Sequence, residues 1–268
     1  MKFIADTHIH SIASNHAYST IMENIEAARQ KGLVYMAMTE HGPKMPDAPH
    51  IWHCVNQWEV PSIYNGVNIL HGAEVDIMDE EGEMELPVPE GKRIQVNYVG
   101  AHLANYDSML VLSHFKGHPM GGFGGALKNI SIGIASSHGK AYIHGSGKPE
   151  EIWTGDHDSF LESMADADKS IVKHFGDKIA FINVMRNMSV DCDCVAKAAD
   201  PCMKDIGILA SLDPVALDQA CIDMVYQSDD PGKAELIERI ESRNGTLTIK
   251  AAEAVGVGTR EYELVNVD

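Results

Sequence analysis

The first quarter of the chain alternates short apolar segments with an amphipathic one. Apolar residues at 2–5 and 33–38 predict two strands. Between them, apolar positions recur at helical spacing over residues 21–31, and Gly32 follows as a stop signal. A third strand is predicted to begin at residues 68–70. Strand, helix and strand in this order are typical of a parallel sheet or barrel.

The rest of the chain also alternates strands with helices. The pattern predicts strands at 108–113, 178–184 and 206–210, a helix opened by Asp213 and Pro214, and helices at 233–242 and 248–255. We therefore predict the α/β class, with a mostly parallel sheet and flanking helices. Three strands and two helices cannot cover both faces of a parallel sheet. Segments 1–76 and 77–268 are accordingly expected to share one sheet and to fold as one unit.

Charge and cysteine content restrict the possible partners and compartment. The formal net charge is −18, which argues against binding to nucleic acid or to an anionic membrane. No apolar run is long enough to span a bilayer, and the amino terminus lacks a signal-peptide pattern. Five cysteines are an odd number, so a secreted disulfide framework is not indicated. These features predict a cytoplasmic protein with reduced thiols.

Histidines are concentrated near the amino terminus, where 7 of the 14 lie within the first 71 residues. His8 and His10 alternate by two at a predicted strand end, so both rings would point the same way and could chelate one ion. Alone, such a pair is as readily explained as polar surface. However, ligand-type residues occur at three successive strand ends, which favours a divalent metal site. The candidate ligands are His8, His10, His16, His41 and Glu74.

Three short sequence motifs that contain or adjoin these histidines resemble a known superfamily. Asp-Thr-His-Ile-His at 6–10, Thr-Glu-His-Gly-Pro at 39–43 and the stretch 47–53 resemble the PHP (polymerase and histidinol phosphatase) superfamily, in its branch of small bacterial phosphatases. The resemblance covers about residues 1–76. It implies a (β/α)7 barrel, zinc or manganese ions, and a small phosphorylated substrate.

The same resemblance implies a role for each candidate ligand. His8 and His10 would hold one ion, and His16 and His41 a second ion bridged by Glu74. His41 and Glu74 are thus also the catalytic candidates. His50 and His53 would lie near the substrate phosphate.

The chain departs from the superfamily after Glu74. A histidine after a fourth strand, a Ser-His-Pro motif and a terminal Asp-x-His do not occur in matching context. His102 has a plausible spacing as a further ligand, and His138 is a weaker substitute. Five ligands can hold one or two ions, so the metal cluster is expected to be incomplete and any hydrolysis weak.

The second segment contains a glycine-dense stretch after a predicted strand, from Ser113 to Asn129. Glycines let backbone amides approach a ligand, and Lys116 and Lys128 would add positive charge for an anionic substrate. The stretch matches neither a Walker loop nor a dinucleotide fingerprint, and a flexible glycine turn explains it equally well. The acidic residues 78–85 predict a solvated turn.

Cys192, Cys194 and Cys202 lie within 11 residues and could bind zinc or an iron–sulfur cluster, with Cys221 as a fourth ligand. Their spacing is not that of a ferredoxin, so structural thiols remain an equal alternative. Nearby acids at 191, 193 and 200 would raise the thiol pKa values, which favours holding a cation over reacting as a nucleophile.

A second resemblance covers about residues 76–268. Its motifs are residues 113–129, 191–202 and 213–221, which are similar to the domain-of-unknown-function family 362, described as iron–sulfur proteins. That family's usual amino-terminal portion is absent, and residues 1–75 stand in its place. A natural fusion, an engineered chimera and an artefact of sequence assembly all predict this pattern.

Two functions follow from these features. The first is a metal-dependent phosphoesterase with an incomplete metal cluster. The second is a metal or iron–sulfur binding protein without hydrolase activity. A chain with neither activity is a third alternative, and the sequence leaves a homo-oligomer open.

Overall fold

A computed structural model describes residues 5–14, 17–39, 53, 57, 59–71, 76–192 and 199–267. The chain divides into two compact units, Met1–Asp76 and Ile77–Asp268. Cooperative folding of the two units stays a prediction. Several candidate ligands lie outside the described residues: His16, His41, His50, Glu74 and Cys194. For His8, the backbone alone is described.

Unit 1 is a four-stranded sheet with one described helix. Its strands are β1 (Ala5–Ile9), β2 (Tyr35–Met38), β3 (Ile63–Tyr64) and β4 (Val67–His71), in the order β1-β2-β4-β3. The β1–β2 and β2–β4 pairs are parallel, as the sequence predicted. Helix α1 (Ile21–Gln30) begins with a reciprocal capping box between Thr20 and Glu23. Its buried residues pack on the sheet in a core of Ile25, Ala28, Met36, Met38, Val67 and Ile69.

The pairing of β1 with β2 slips by one residue near the candidate metal ligands. Asp6 pairs with Met36 and Ile9 with Met38, so three steps along β1 match two along β2. Such an irregularity interrupts the regular alternation of side chains. Alternation along the strand therefore does not by itself place His8 and His10 on one face across this point. His10 follows the end of β1.

Unit 2 contains seven strands and five longer helices among its described residues. The strands are β5 (Glu83–Pro87), β6 (Val96–Gly100), β7 (Met109–His114), β8 (Lys116–His118), β9 (Gly122–Gly124), β10 (Ile179–Met185) and β11 (Gly207–Ser211). The helices are α2 (Ser137–His144), α3 (His157–Phe175), α4 (Pro214–Gln227), α5 (Lys233–Ser242) and α6 (Thr246–Ala254). Of the helices described in either unit, none combines the length and apolarity needed to cross a bilayer.

The strands of unit 2 form three sheets. β7 and β10 are parallel and β11 is antiparallel to β10, whereas β5–β6 and β8–β9 are antiparallel hairpins. Each sheet of described strands belongs to a single unit. The prediction of one sheet shared by both segments is therefore wrong for these strands. The fold class, α/β, is confirmed.

Helix α3 passes through the core of unit 2 and is buried along most of its 19 residues. One of its acids, Asp166, organises a neighbouring segment. Asp166 accepts hydrogen bonds from the backbone N–H groups of Lys92, Arg93 and Ile94, at 2.6–3.0 Å. Asp168 is fully buried. The helix thus fixes the loop before β6 through a side chain that a hydrophobic pattern would assign to the surface.

Asp218 of α4 holds the glycine-dense stretch in place. Its Oδ1 accepts from the backbone N–H of Ala126 at 2.8 Å and from Asn183 Nδ2 at 2.7 Å, and its Oδ2 accepts from the N–H of Leu127 at 3.0 Å. Gly125 is packed so closely that a Cβ on it would lie 2.4 Å from Asp218 Oδ1. Only glycine fits at this position while the aspartate keeps its place.

The buried carboxyl groups of Asp218 and Asp168 both have raised pKa values. Burial raises the pKa of Asp218 to about 6, against the lowering effect of its hydrogen bonds from Leu127, Asn183 and Ala126. Burial also raises the pKa of Asp168 well above its usual range, and the carboxyl groups of Asp218 and Asp166 add to this, whereas the Ser131 hydroxyl opposes it. Ionising Asp168 in the folded state is therefore unfavourable.

We predict that Asp168→Asn stabilises the fold more at pH 8 than at pH 5. The raised folded-state pKa of Asp168 contributes stability that is complete below the unfolded value, near 4, and is lost as the pH rises toward the folded value. A neutral amide removes this dependence. Denaturant unfolding at both pH values should show a larger gain at pH 8 than at pH 5. Asp177→Asn, at an exposed position, is the control. An equal effect of Asp168→Asn at both pH values would contradict this prediction.

Candidate functional site

The carboxyl ends of three parallel strands meet along one edge of the unit 1 sheet. Met38, the last residue of β2, pairs with His71 at the end of β4. The N–H of Thr39 donates to the carbonyl of Ile9 at 2.8 Å, which joins the ends of β2 and β1. The residues that directly follow these strands therefore start at the same edge of the sheet, as predicted from the sequence.

The segment after β1 is fixed by hydrogen bonds within unit 1. Asn24 Nδ2 on α1 donates to the carbonyl of His10 at 3.0 Å. The next residue, Ser11, is buried, and its Oγ lies 3.2 Å from His53 Nε2. Gln57 Nε2 lies 3.4 Å from the same nitrogen. The structure thus brings His53, a predicted substrate-binding residue, to the segment that begins with His10.

His102 lies in unit 2, in a 3₁₀ turn at Ala101–Asn105. Its Nε2 is 3.4 Å from Glu81 Oε2, in the acidic turn before β5. His138 Nδ1 similarly lies 3.0 Å from Glu83 Oε1. The described side chains contain no group of three or more metal-ligand residues. Because His16, His41 and Glu74 fall outside them, the metal site stays a prediction.

The glycine-dense stretch of unit 2 forms a small cavity. The β8–β9 hairpin leads into a short helical turn, Ala126–Lys128, and the space between these elements has a volume of about 180 Å³. Its lining consists of Leu112, Ser113, His114, Lys116, Gly124, Gly125, Lys128 and Asn129. The two lysines that the sequence analysis selected thus line the same cavity.

Polar groups in this cavity are oriented by short contacts. Lys116 Nζ donates to the carbonyl of His114 at 3.3 Å, and Asn129 Nδ2 donates to Ser113 Oγ at 3.0 Å. A Cβ on Gly124 would lie 3.6 Å from Lys116 Nζ and 3.8 Å from Lys128 Cδ. Both lysine side chains therefore flank the backbone of Gly124, which has no side chain to separate them.

His118, at the end of β8, is a neutral neighbour of these lysines. Its Nδ1 accepts from the backbone N–H groups of Met120 and Gly121, at 3.1 and 3.0 Å, so the neutral ring carries its hydrogen on Nε2. Burial, followed by the charges of Lys128 and Lys116, lowers the pKa of His118 to about 3. His118, Ser113 and Asn129 were not predicted individually from the sequence, although all three lie within the glycine-dense stretch.

The cysteine region is described in part. The backbone N–H of Cys202 donates to the carbonyl of Met188 at 2.8 Å, and its Sγ donates to the same oxygen at 3.2 Å. Burial raises the pKa of the Cys202 thiol, with smaller contributions from Glu235 and Asp230. Cys192 is buried. Cys202 thus contacts the backbone of Met188, four residues before Cys192 in sequence.

One acid near the cysteines is paired with a cation. Asp191 forms an ion pair with Arg239 on α5, at 2.9 Å, and a second contact at 3.1 Å. Asp191 therefore does not add the uncompensated negative charge beside the thiols that was predicted from the sequence, because the guanidinium offsets that charge. The acids whose negative charge helps to raise the pKa of Cys202 are Glu235 and Asp230.

Curated relatives match part of the chain. A protein of Thermoanaerobacter sp. (strain X514) named "probable phosphatase" is 49% identical over 102 residues, 38% of this chain and 42% of its own length. A "probable phosphatase" of Photobacterium profundum is 50% identical over 86 residues, 32% of this chain and 35% of its own. The chain thus spans about two fifths of the length of such relatives.

A solved structure also aligns with the chain. The crystal structure of a Thermotoga maritima protein covers 95% of this chain and 55% of that protein, at 12% identity and a TM-score of 0.30. This similarity is too low to support an argument about fold or function.

A family model described as "Domain of unknown function (DUF362)" matches residues 53–223. The match begins upstream of Asp76, where the sequence analysis placed the change between the two resemblances. It includes β5 to β10, the glycine-dense stretch and Asp218. The chain therefore belongs to the DUF362 family.

Proposed function

We propose that the chain is a metal-dependent phosphoesterase whose metal is held by His8, His10, His16, His41 and Glu74. The observation that carries the proposal is the 45–50% identity to proteins named "probable phosphatase" over about two fifths of the chain. The parallel β1, β2 and β4 support it, because their carboxyl ends lie side by side at the edge where these ligands follow in sequence.

The donor chemistry suits zinc or manganese, which bind imidazole nitrogen and carboxylate oxygen. A divalent ion at this edge would lower the pKa of a bound water and offset the negative charge of a phosphate ester. The chain itself would orient the site. Asn24 fixes the backbone of His10, and Ser11 fixes the ring of His53 beside it. We assign His53, together with His50, to binding the substrate phosphate.

The proposal predicts metal in the purified full-length chain and less metal in His8→Ala/His10→Ala. Imidazoles bind metal in their neutral form, so the metal content of the wild type should also fall as the pH drops below about 6. Elemental analysis after dialysis measures both effects. His157→Ala/His174→Ala, two positions on α3, is the matched control. Equal metal content in the wild type and the His8/His10 variant would rule out these ligands.

The proposal further predicts a weak manganese-dependent hydrolysis of p-nitrophenyl phosphate that His41→Ala abolishes. The rate should be low because an incomplete cluster lacks either activation of the nucleophile or stabilisation of the leaving group, each worth several kcal/mol. The same assay on His174→Ala controls for the effect of replacing a histidine that is not a proposed ligand. A high rate abolished by His41→Ala would show that the cluster is complete. A rate that His41→Ala leaves unchanged would contradict the assigned site.

A second candidate function is metal or iron–sulfur binding by Cys192, Cys194 and Cys202. The specific observation in its favour is that the N–H and Sγ of Cys202 both donate to the carbonyl of Met188, four residues before Cys192 in sequence. Burial raises the pKa of Cys202, which disfavours its thiolate without a cation nearby. Bound iron or zinc would supply that cation.

This candidate predicts slow alkylation of Cys192 and Cys194 at neutral pH in the protein as isolated, and faster alkylation after chelation. Mass spectrometry of iodoacetamide-treated peptides measures each thiol, and metal and sulfide analysis accompanies it. Unfolded protein, in which all five thiols should react, is the reference. Rapid alkylation of both thiols in untreated protein without iron or zinc would show ordinary surface cysteines.

A further inference from the structure

We propose that Gly125, Ala126 and Leu127 form a proton-controlled latch, which stays packed on Asp218 while that carboxyl group is protonated and opens more readily once it is ionised. In the open state, the backbone N–H groups of Ala126 and Leu127 leave the carboxyl group, and water reaches both partners. The inference does not rest on the proposed hydrolysis, because every residue of the latch belongs to unit 2.

The first argument is the burial of the carboxyl group in the closed latch. Asp218 is 0% exposed, as are Ala126 and Leu127 above it and Asn183 beside it. A Cβ on Gly125 would lie 2.4–3.0 Å from the carbon and both oxygens of the carboxyl group. The backbone of Gly125 therefore lies directly against the acid and excludes water from this side.

The second argument is the kind of group that surrounds the acid. Its three hydrogen-bond donors are the backbone N–H groups of Ala126 and Leu127 and the Asn183 amide, at 2.7–3.0 Å. All three are neutral. No ion pair joins Asp218 to a lysine, arginine or histidine among the residues that the structure describes. Neutral donors offset the cost of a buried charge less than an opposite charge does, so ionisation is unfavourable while the latch is closed.

The third argument is that the closed latch can accommodate a proton. The two oxygens of a carboxyl group offer about four acceptor positions. Oδ1 of Asp218 accepts from Ala126 and Asn183, whereas Oδ2 accepts one hydrogen bond, from Leu127. A proton on Oδ2 therefore leaves all three hydrogen bonds in place, and the protonated acid suits the closed state.

The titratable groups beside Asp218 are Asp168 on α3 and Cys221 on α4. Burial, followed by the charge of Asp218, raises the pKa values of both groups. Asp218 has three hydrogen bonds that favour its charged form, whereas Asp168 has the Ser131 hydroxyl in that role. Asp218 is therefore the first of these groups to lose its proton as the pH rises.

The direction of the effect follows from linkage. Burial raises the pKa of Asp218 to about 6 in the closed latch, although its hydrogen bonds lower it. In the open latch, water restores the ordinary value, near 4. The closed state binds the proton more tightly, so the open state gains population as the pH rises from about 4 to about 6 and levels off above that. Between pH 5 and pH 8, the opening equilibrium constant should rise about tenfold.

Amide hydrogen exchange of the full-length chain between pH 5 and pH 8 tests the proposal. After correction for the intrinsic exchange rate, the amides of Ala126 and Leu127 should lose about tenfold in protection over this range. The amide of Phe181, in the central strand β10, is the reference and should be better protected at every pH. Constant protection of the latch amides would overturn the proposal. Protection equal to that of Phe181 would also overturn it, since the whole unit would then unfold at once.

Asp218→Asn should abolish the change in protection of the latch amides between pH 5 and pH 8. Asp168→Asn is the matched control and should keep it, because Asp218 is intact. An amide at position 218 would direct its own NH₂ group at a donor, so a second variant retains the carboxyl group. Asn183→Ala removes a hydrogen bond that lowers the pKa of Asp218, and the change should level off at a higher pH than in the wild type. Loss of the change in Asp168→Asn, or an unshifted profile in Asn183→Ala, would overturn the proposal.

Discussion

The buried carboxyl group of Asp218 determines the arrangement of the centre of unit 2. It joins three elements that are distant in sequence: α4, which carries it, β10 through Asn183, and the turn at Ala126 and Leu127. A carboxyl group inside a protein is unfavourable unless donors surround it. Here the donors are two backbone amides and a side-chain amide. Satisfying this acid therefore fixes the position of the glycine-dense stretch, and with it the cavity that contains Lys116 and Lys128.

Local signals were sufficient to predict many elements of unit 2. Asp213 caps α4 through the backbone N–H groups of Val215 and Ala216, as its position before Pro214 indicated. The predicted bounds of α5 agree with the structure. Capping and periodicity depend on neighbours along the chain, so one sequence contains the information needed. The same holds for the parallel order of β1, β2 and β4, which follows from a strand–helix–strand pattern.

Long-range features could not be predicted in this way. Helix α3 was missed because its buried face includes Ser163, Asp166 and Asp168, which a hydrophobic pattern assigns to the surface. The partners of Asp166 lie more than 70 residues away in sequence. The ion pair of Asp191 with Arg239 likewise depends on how α5 packs. For the candidate cavity, composition indicated both lysines, but the positions of Ser113 and Asn129 beside them required the tertiary structure.

The bonds from Ala126 and Leu127 to Asp218 span 92 and 91 residues, which has a consequence for synthesis of the chain. A ribosome adds about 5–20 residues per second. The acid that holds the glycine-dense stretch is therefore made roughly 5–20 s after the stretch itself. During that interval the backbone N–H groups of Ala126 and Leu127 have no Asp218 carboxylate to accept their hydrogen bonds. Asn183 of β10 also forms its hydrogen bond to Asp218 only afterwards. The cavity is thus a late product of folding on the ribosome, formed after α4 has left the exit tunnel.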